Sequence, residues 1–185
     1  VNFMNNPDER TAVDQFGKGD KYFCICTLMA TLPGLPMFGH GQIEGFTEKY
    51  GMEYQRAYLD EIEDPELIER HRREIFPLLH RRSLFAGVQN FTLFDFYTPS
   101  GFVDENVFAY SNGLDGNFAL VICNNRYDRS AGWIRTSVQY LDKETGQLTM
   151  KPLGERLGIQ NEPETYTICK DQISGLEFIF SNEKL

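Results

Sequence analysis

The chain of 185 residues is 41% hydrophobic, 14% aromatic and 24% charged, with 15 Phe and 9 Tyr. So many large apolar side chains exclude a disordered tail and suffice for one large domain or two small ones. The 18 Lys and Arg against 27 Asp and Glu leave a net charge of −9, which disfavours a nucleic-acid partner, since a phosphate backbone needs a basic face.

Val1 to Met4 reads as the end of a strand running into a polar loop from Asn5 to Thr11. Phe16-Gly17-Lys18-Gly19-Asp20 is a break, with Asp20 placed to N-cap the next element. Tyr22 to Leu32 is apolar on almost every face, the pattern of a buried helix, and Pro33-Gly34 stops it. The longest apolar run, Phe23 to Leu32, falls well short of the roughly 20 residues of a membrane-spanning helix, so no membrane is expected as a partner. Leu35 to Phe38 reads as a second short strand, closed by Gly39-His40-Gly41.

Gln42 to Glu63 carries Phe46, Tyr50, Tyr54 and Tyr58. It is too long for an idle connection and is expected to be functional or partly helical. Asp64-Pro65-Glu66 then supplies an N-cap, a first-position proline and an acidic first turn. Leu67, Ile68, His71, Ile75, Leu78 and Leu79 follow at helical spacing, and Pro77 should kink or split the helix. His71 on this stripe reads as a half-buried packing residue.

After Gly87 the pattern changes to short β-type runs. The expected strands are Phe91–Tyr97, Val107–Ser111, Phe118–Asn124, Trp133–Val138, Leu148–Lys151, Thr165–Cys169 and Leu176–Phe180. Turn signals include Pro99-Ser100-Gly101, Asn112-Gly113, Asp115-Gly116 and Thr145-Gly146. This is the spacing of an antiparallel sandwich or barrel. The whole reads as α+β: two βα units over residues 1–88, then an all-β module over residues 89–185. Two parallel strands cannot cover both faces of a sheet of their own, so the first part is expected to belong to a larger sheet. The opening Val1 points the same way, to a longer parent; the compartment is left open, with the cytoplasm favoured.

Cys24, Cys26, Cys123 and Cys169 are too few for a disulfide scaffold and read as buried reduced thiols. Cys24 and Cys26 point apart on a helix and should not pair. Gly17-Lys18-Gly19 lacks the phosphate-loop spacing, His40, His71 and His80 are too dispersed for a zinc motif, and no nucleophile elbow is present. No metal or cofactor is expected in this chain.

In a βα barrel or open α/β sheet, functional residues lie just past the C-terminal ends of strands. Asn5 to Arg10 and Gly39 to Glu44 qualify, which groups Asp8, Glu9, Arg10, His40, Gln42 and Glu44 on one rim.

Phe3-Met4-Asn5-Asn6-Pro7-Asp8 resembles the F-x-x-N-H-D segment of glycoside hydrolase family 13, the α-amylase family. Pro33-Gly34-Leu35-Pro36-Met37-Phe38-Gly39-His40-Gly41-Gln42 is similar to that family's P-G-x-P-x-x-Y-Y-G-Q-E segment. Pro65 to Leu84 resembles its last barrel helix, and Val107 to Ser111 with Ala119 to Asn124 the opening of its C-terminal sandwich.

The resemblance implies the last two βα units of a (β/α)8 barrel followed by an antiparallel β-sandwich, in a parent that acts on α-glucans by a retaining route. It makes Asp8 the third, transition-state-supporting carboxylate, with Asn6, Arg10, His40 and Gln42 as substrate-binding neighbours. The nucleophile and general acid come from earlier barrel strands, so this chain alone is expected to be inactive; any calcium would lie elsewhere in the parent. The sequence departs from the pattern at Pro7 for the motif histidine, Gly39 and His40 for two tyrosines, and Ile43 for the glutamate. Proline offers no side-chain donor, and His40 is the candidate to supply the missing contact. The rival expectation is a non-catalytic module whose sandwich holds carbohydrate or a protein, with Trp133, Tyr127 or Tyr140 stacking on sugar.

Overall fold

The computed structural model describes residues 1–49, 56–160 and 162–184. Its contacts divide the chain into two compact units, Val1–Arg82 and Ser83–Leu185. The fold is mixed α+β, with helices beside several small sheets.

The first unit opens with β1 (Asn2–Phe3), α1 (Ala12–Phe16), α2 (Asp20–Thr31) and β2 (Pro36–Met37). β1 and β2 pair in parallel, Asn2 opposite Pro36 and Phe3 opposite Met37, so the expected strand–helix–strand unit is present. Gly19, not Asp20, is the N-cap of α2; Asp20 is its first residue and pairs with Arg70 at 2.7 Å. None of Tyr22 to Thr31 is exposed, and Tyr22, Phe23, Cys26, Met29 and Ala30 form the core with Met4, Ala12, Val13, Leu67 and Ile75. Each large apolar side chain so buried stabilises the unit by roughly 1.5–3 kcal/mol.

Asp64 caps α3 (Pro65–Glu74) by accepting from the N–H groups of Glu66 and Leu67 at 3.1 Å each. Pro77 splits the helix as expected: with no N–H to offer and a ring against the preceding turn, it sits at the start of a separate α4 (Phe76–His80). His71 is not half-buried but fully enclosed. From Gln42 to Glu63 the described residues contain the end of a turn over 40–45 and no helix; Tyr50 and Tyr54 lie outside the described residues. The expectation of free thiols is met at Cys26, buried, and Cys169, half-buried, and fails at the other two cysteines.

The second unit begins within α5 (Arg82–Ala86). β3 (Thr92–Tyr97), β4 (Val107–Leu114), β5 (Asn117–Asn124) and β6 (Trp133–Ser137) form one antiparallel sheet in the order β5-β4-β3-β6. Asp115-Gly116 makes the β4–β5 turn, with φ of 50° and 78°, the left-handed pair a two-residue hairpin loop requires. Asn112-Gly113 is not a turn but part of β4: the Asn112 amide donates to the carbonyls of Phe85 and Gly87 at 3.1 and 2.8 Å, and Phe118 packs on Gly113. β7 (Tyr140–Leu141), too short to show any alternation in the sequence, pairs with β8 (Leu148–Thr149). Leu153 of α6 (Leu153–Arg156) covers Phe94 and Ala109 on one face of the sheet. The hairpin of β9 (Tyr166–Lys170) and β10 (Glu177–Ser181) leaves the cross-strand neighbours Ile168 and Ile179 63% and 69% exposed. All seven expected strands are present and, with β7, make one four-stranded sheet and two hairpins; among the described residues they form neither a closed barrel nor two stacked larger sheets. Nor is any described helix long and apolar enough to cross a membrane.

The turn between α2 and β2 is held from two sides. Arg82 donates to the carbonyls of Ala30 and Leu32 at 2.8 Å each and to that of Gly34, while Asn2 Nδ2 donates to Leu32 and Pro33. A guanidinium at a helix C-terminus also meets the negative end of the helix dipole. Arg82→Ala should therefore lower the unfolding free energy of this unit by about 2–3 kcal/mol, read as a lower urea midpoint at unchanged m value.

Candidate functional site at the strand exits

Because β1 and β2 run parallel, the loops that follow them leave from the same edge. After β1 the chain buries Met4 and Asn5, then turns outward. Asn6 Oδ1 accepts from the N–H groups of Asp8 and Glu9 at 2.9 Å each. This local bond, strong in asparagine turns, closes a tip on which Pro7, Asp8, Glu9 and Arg10 are exposed.

The loop after β2 is tied from within. Gly39 N–H donates to Gln42 Oε1 at 3.1 Å, and the N–H groups of Gly45 and Phe46 both reach Gly41 O at 2.9 Å. Gly41 has φ of 66°, and Phe46 lies where a side chain would project. The two loops also pack against each other. Gln42 Nε2 lies 3.2 Å from Met4 Sδ, and the Asn5 amide occupies the space beside Gly39, so that a methyl there would lie 2.8 Å from Asn5 Oδ1 and 2.9 Å from Cγ. Asn5 Oδ1 is buried with no hydrogen-bond partner among the described residues.

The expected site residues separate into two groups. Asp8, Arg10 and His40 are exposed; Arg10 lies 3.6 Å from Asp14, and the His40 ring centroid is 6.3 Å from that of Phe46. Asn6 faces its own turn. Gln42 is 2% exposed, with both ends of its amide engaged, so it fixes the loop rather than lining the rim. Lys49, which the sequence did not single out, links the second loop to the first by donating from Nζ to Asp8 O at 2.7 Å.

A pair of glutamates anchors the segment leading away. Glu61 accepts from the N–H groups of Thr47 and Glu48 and from the Thr47 hydroxyl at 2.7–3.0 Å, and Glu48 accepts from the N–H groups of Tyr58 and Leu59 at 2.6 and 2.9 Å. Nothing in the spacing of Glu48 and Glu61 signals such a clasp, because each bonds to backbone rather than to a side chain. Desolvation works to raise the Glu61 carboxyl, but the bonds from Thr47 and Glu48, with the nearby Lys18 charge, outweigh it and hold the group below its ordinary value. Beneath the loop, the Tyr22 hydroxyl lies 2.9 Å from Gln42 O and 3.1 Å from His71 Nε2. Among the described residues no three His, Cys, Asp or Glu side chains converge as a metal-ligand set.

No family model matches this sequence, and no curated protein does.

A carboxyl held below its ordinary value contributes stability above its unfolded value and loses it as pH falls through the folded one. Amide-exchange protection at Thr47 and Glu48 should therefore fall as pH drops below the ordinary glutamate range, and Glu61→Ala should remove that protection at neutral pH. Equal protection in the variant and in the unmodified chain would mean the clasp is not what holds this segment.

Proposed function

We propose that the chain is the C-terminal portion of an α-amylase-family enzyme acting on α-glucans, with Asp8 as the carboxylate that supports the transition state. The observation that carries the reading is the meeting of the two motif-bearing loops at the exits of adjacent parallel strands, Asn5 against Gly39 and Met4 against Gln42. Strand exits are where such sheets do their chemistry, and the order and spacing of the motif segments resemble those of the α-amylase family. Asp8 and His40, exposed on the rim, would bind sugar hydroxyls, and Arg10 would set the local charge. Asn6 and Gln42 would shape the two loops rather than touch substrate. A retaining mechanism needs a nucleophile and a general acid besides Asp8, and in this family they come from earlier barrel strands.

Two assays test this. Incubated with starch or maltooligosaccharides, the chain should show no turnover. In the longer parent, Asp8→Asn should lower kcat/KM by at least about a hundredfold, the scale expected when a group acting in the transition state is lost. Turnover by the chain alone, or full activity of the parent variant, would refute the assignment.

The alternative is a carbohydrate-binding β module. It draws on Trp133, 50% exposed with the Arg135 guanidinium 5.4 Å from its ring centroid, and on Tyr127, also exposed; Tyr140 is half-buried. Saturable oligosaccharide binding lost in Trp133→Ala and kept in Asp8→Asn would favour that module.

A further inference from the structure

We propose that Tyr22 and His71 are positioning residues for the Gly39–Phe46 loop, and that one proton on His71 decides whether the Tyr22 hydroxyl is given to that loop or withheld from it. The inference concerns the support under the rim and holds whatever ligand the rim takes.

The argument is a count of hydrogens. His71 Nδ1 lies 2.9 Å from Leu67 O, one turn back on its own helix. A carbonyl oxygen only accepts, so Nδ1 carries a hydrogen. In a neutral imidazole Nε2 is then a bare acceptor. It faces the Tyr22 hydroxyl at 3.1 Å, and that hydroxyl also faces Gln42 O at 2.9 Å. Tyr22 owns one hydrogen and meets two acceptors. Tyr22 and His71 are fully enclosed and Gln42 is 2% exposed, so bulk solvent does not reach the three groups. Gln42 O has no other partner among the described residues.

Adding a proton to Nε2 removes the conflict. Nε2–H then donates to the Tyr22 oxygen, and Tyr22 donates to Gln42 O. The chain Leu67–His71–Tyr22–Gln42 is satisfied at every link, and the loop gains a full buried hydrogen bond. No bond to carbon changes, and the proton comes from solvent.

The surroundings set where this happens. Burial lowers the His71 value, while the Leu67 carbonyl and the charges of Glu44, in the loop, and Glu74, on the same helix, work to raise it. Glu74 is itself neutralised by Arg70 and Arg73 at 2.9 and 2.7 Å, and Asp20 on α2 takes the other side of Arg70. Three rings also pack against His71: Phe23 from α2, Phe38 after β2 and Phe76 from α4, at centroid distances of 5.1, 6.4 and 6.3 Å. The transition therefore belongs on the acid side of the ordinary imidazole range.

The test is an NMR titration of the full chain, following the His71 ring nitrogens and the Gln42 carbonyl carbon. Nδ1 should bear hydrogen throughout while Nε2 titrates. The Gln42 carbonyl signal should move downfield with the same midpoint, and amide exchange at Ile43 should slow by about fivefold, the equivalent of one net buried hydrogen bond. In Tyr22→Phe the Gln42 signal should no longer follow His71, while His71 still titrates. Hydrogen on Nε2 with a bare Nδ1, a Gln42 signal that ignores the titration, a response that survives Tyr22→Phe, or an Nε2 that stays unprotonated until the chain unfolds would each overturn the proposal. Should Tyr22→Phe fail to fold, the ring nitrogens and Gln42 of the unmodified chain decide it.

Discussion

Between Gly39 and Asn5 there is no room for a single additional methyl group, and the organisation of the strand exits follows from that fit. Two residue pairs of parallel ladder are too few to hold two loops in register on their own. The loops are held by side chains turned inward: the Asn5 amide beside Gly39, the Gln42 amide between Gly39 N–H and Met4 sulfur, and the Tyr22 hydroxyl on the Gln42 carbonyl. Each is a polar group inside an apolar core, where a paired group specifies one geometry and an unpaired one costs about 1–3 kcal/mol. Asp8 and His40 stand on the outer side of that packing, presented by loops whose inner side is fixed.

On the proposed reading, this division bears on the positions at which the chain differs from the α-amylase-family segments. Gly39 has no side chain, and the Asn5 amide fills the space beside it. Pro7 lies on an exposed turn that Asn6 closes through backbone N–H groups, a position in which a residue without an N–H is tolerated. The sugar-facing work would then fall to Asp8 and His40.

The sequence made the helical half legible because its signals are local. Asp64-Pro65 starts α3 and Pro77 ends it, each by the chemistry of one residue and its own backbone. The strands after residue 88 were legible from alternation, but their partners were not: Asn112-Gly113 has the composition of a turn, and only the carbonyls of Phe85 and Gly87, far away in the chain, explain why it lies within β4. Asp8, Arg10 and His40 are exposed on the loops that follow β1 and β2. The inward roles of Gln42, Asn5 and His71 were not legible. Such roles depend on which groups meet across about 20 to 50 positions of chain, and amphipathic patterning carries no record of hydrogen-bond partners.

The packing of Asn5 on Gly39 can be measured with two substitutions and their combination. Gly39→Ala should destabilise the first unit by about 1–2 kcal/mol, since an added methyl must displace a buried amide. Asn5→Ala introduced into the same chain should recover most of that loss, giving a coupling energy of about 1 kcal/mol between the two sites. If Gly39→Ala is as stable as the unmodified chain, or if the two effects simply add, the loops are not joined through this contact and the common support for Asp8 and His40 is wrong.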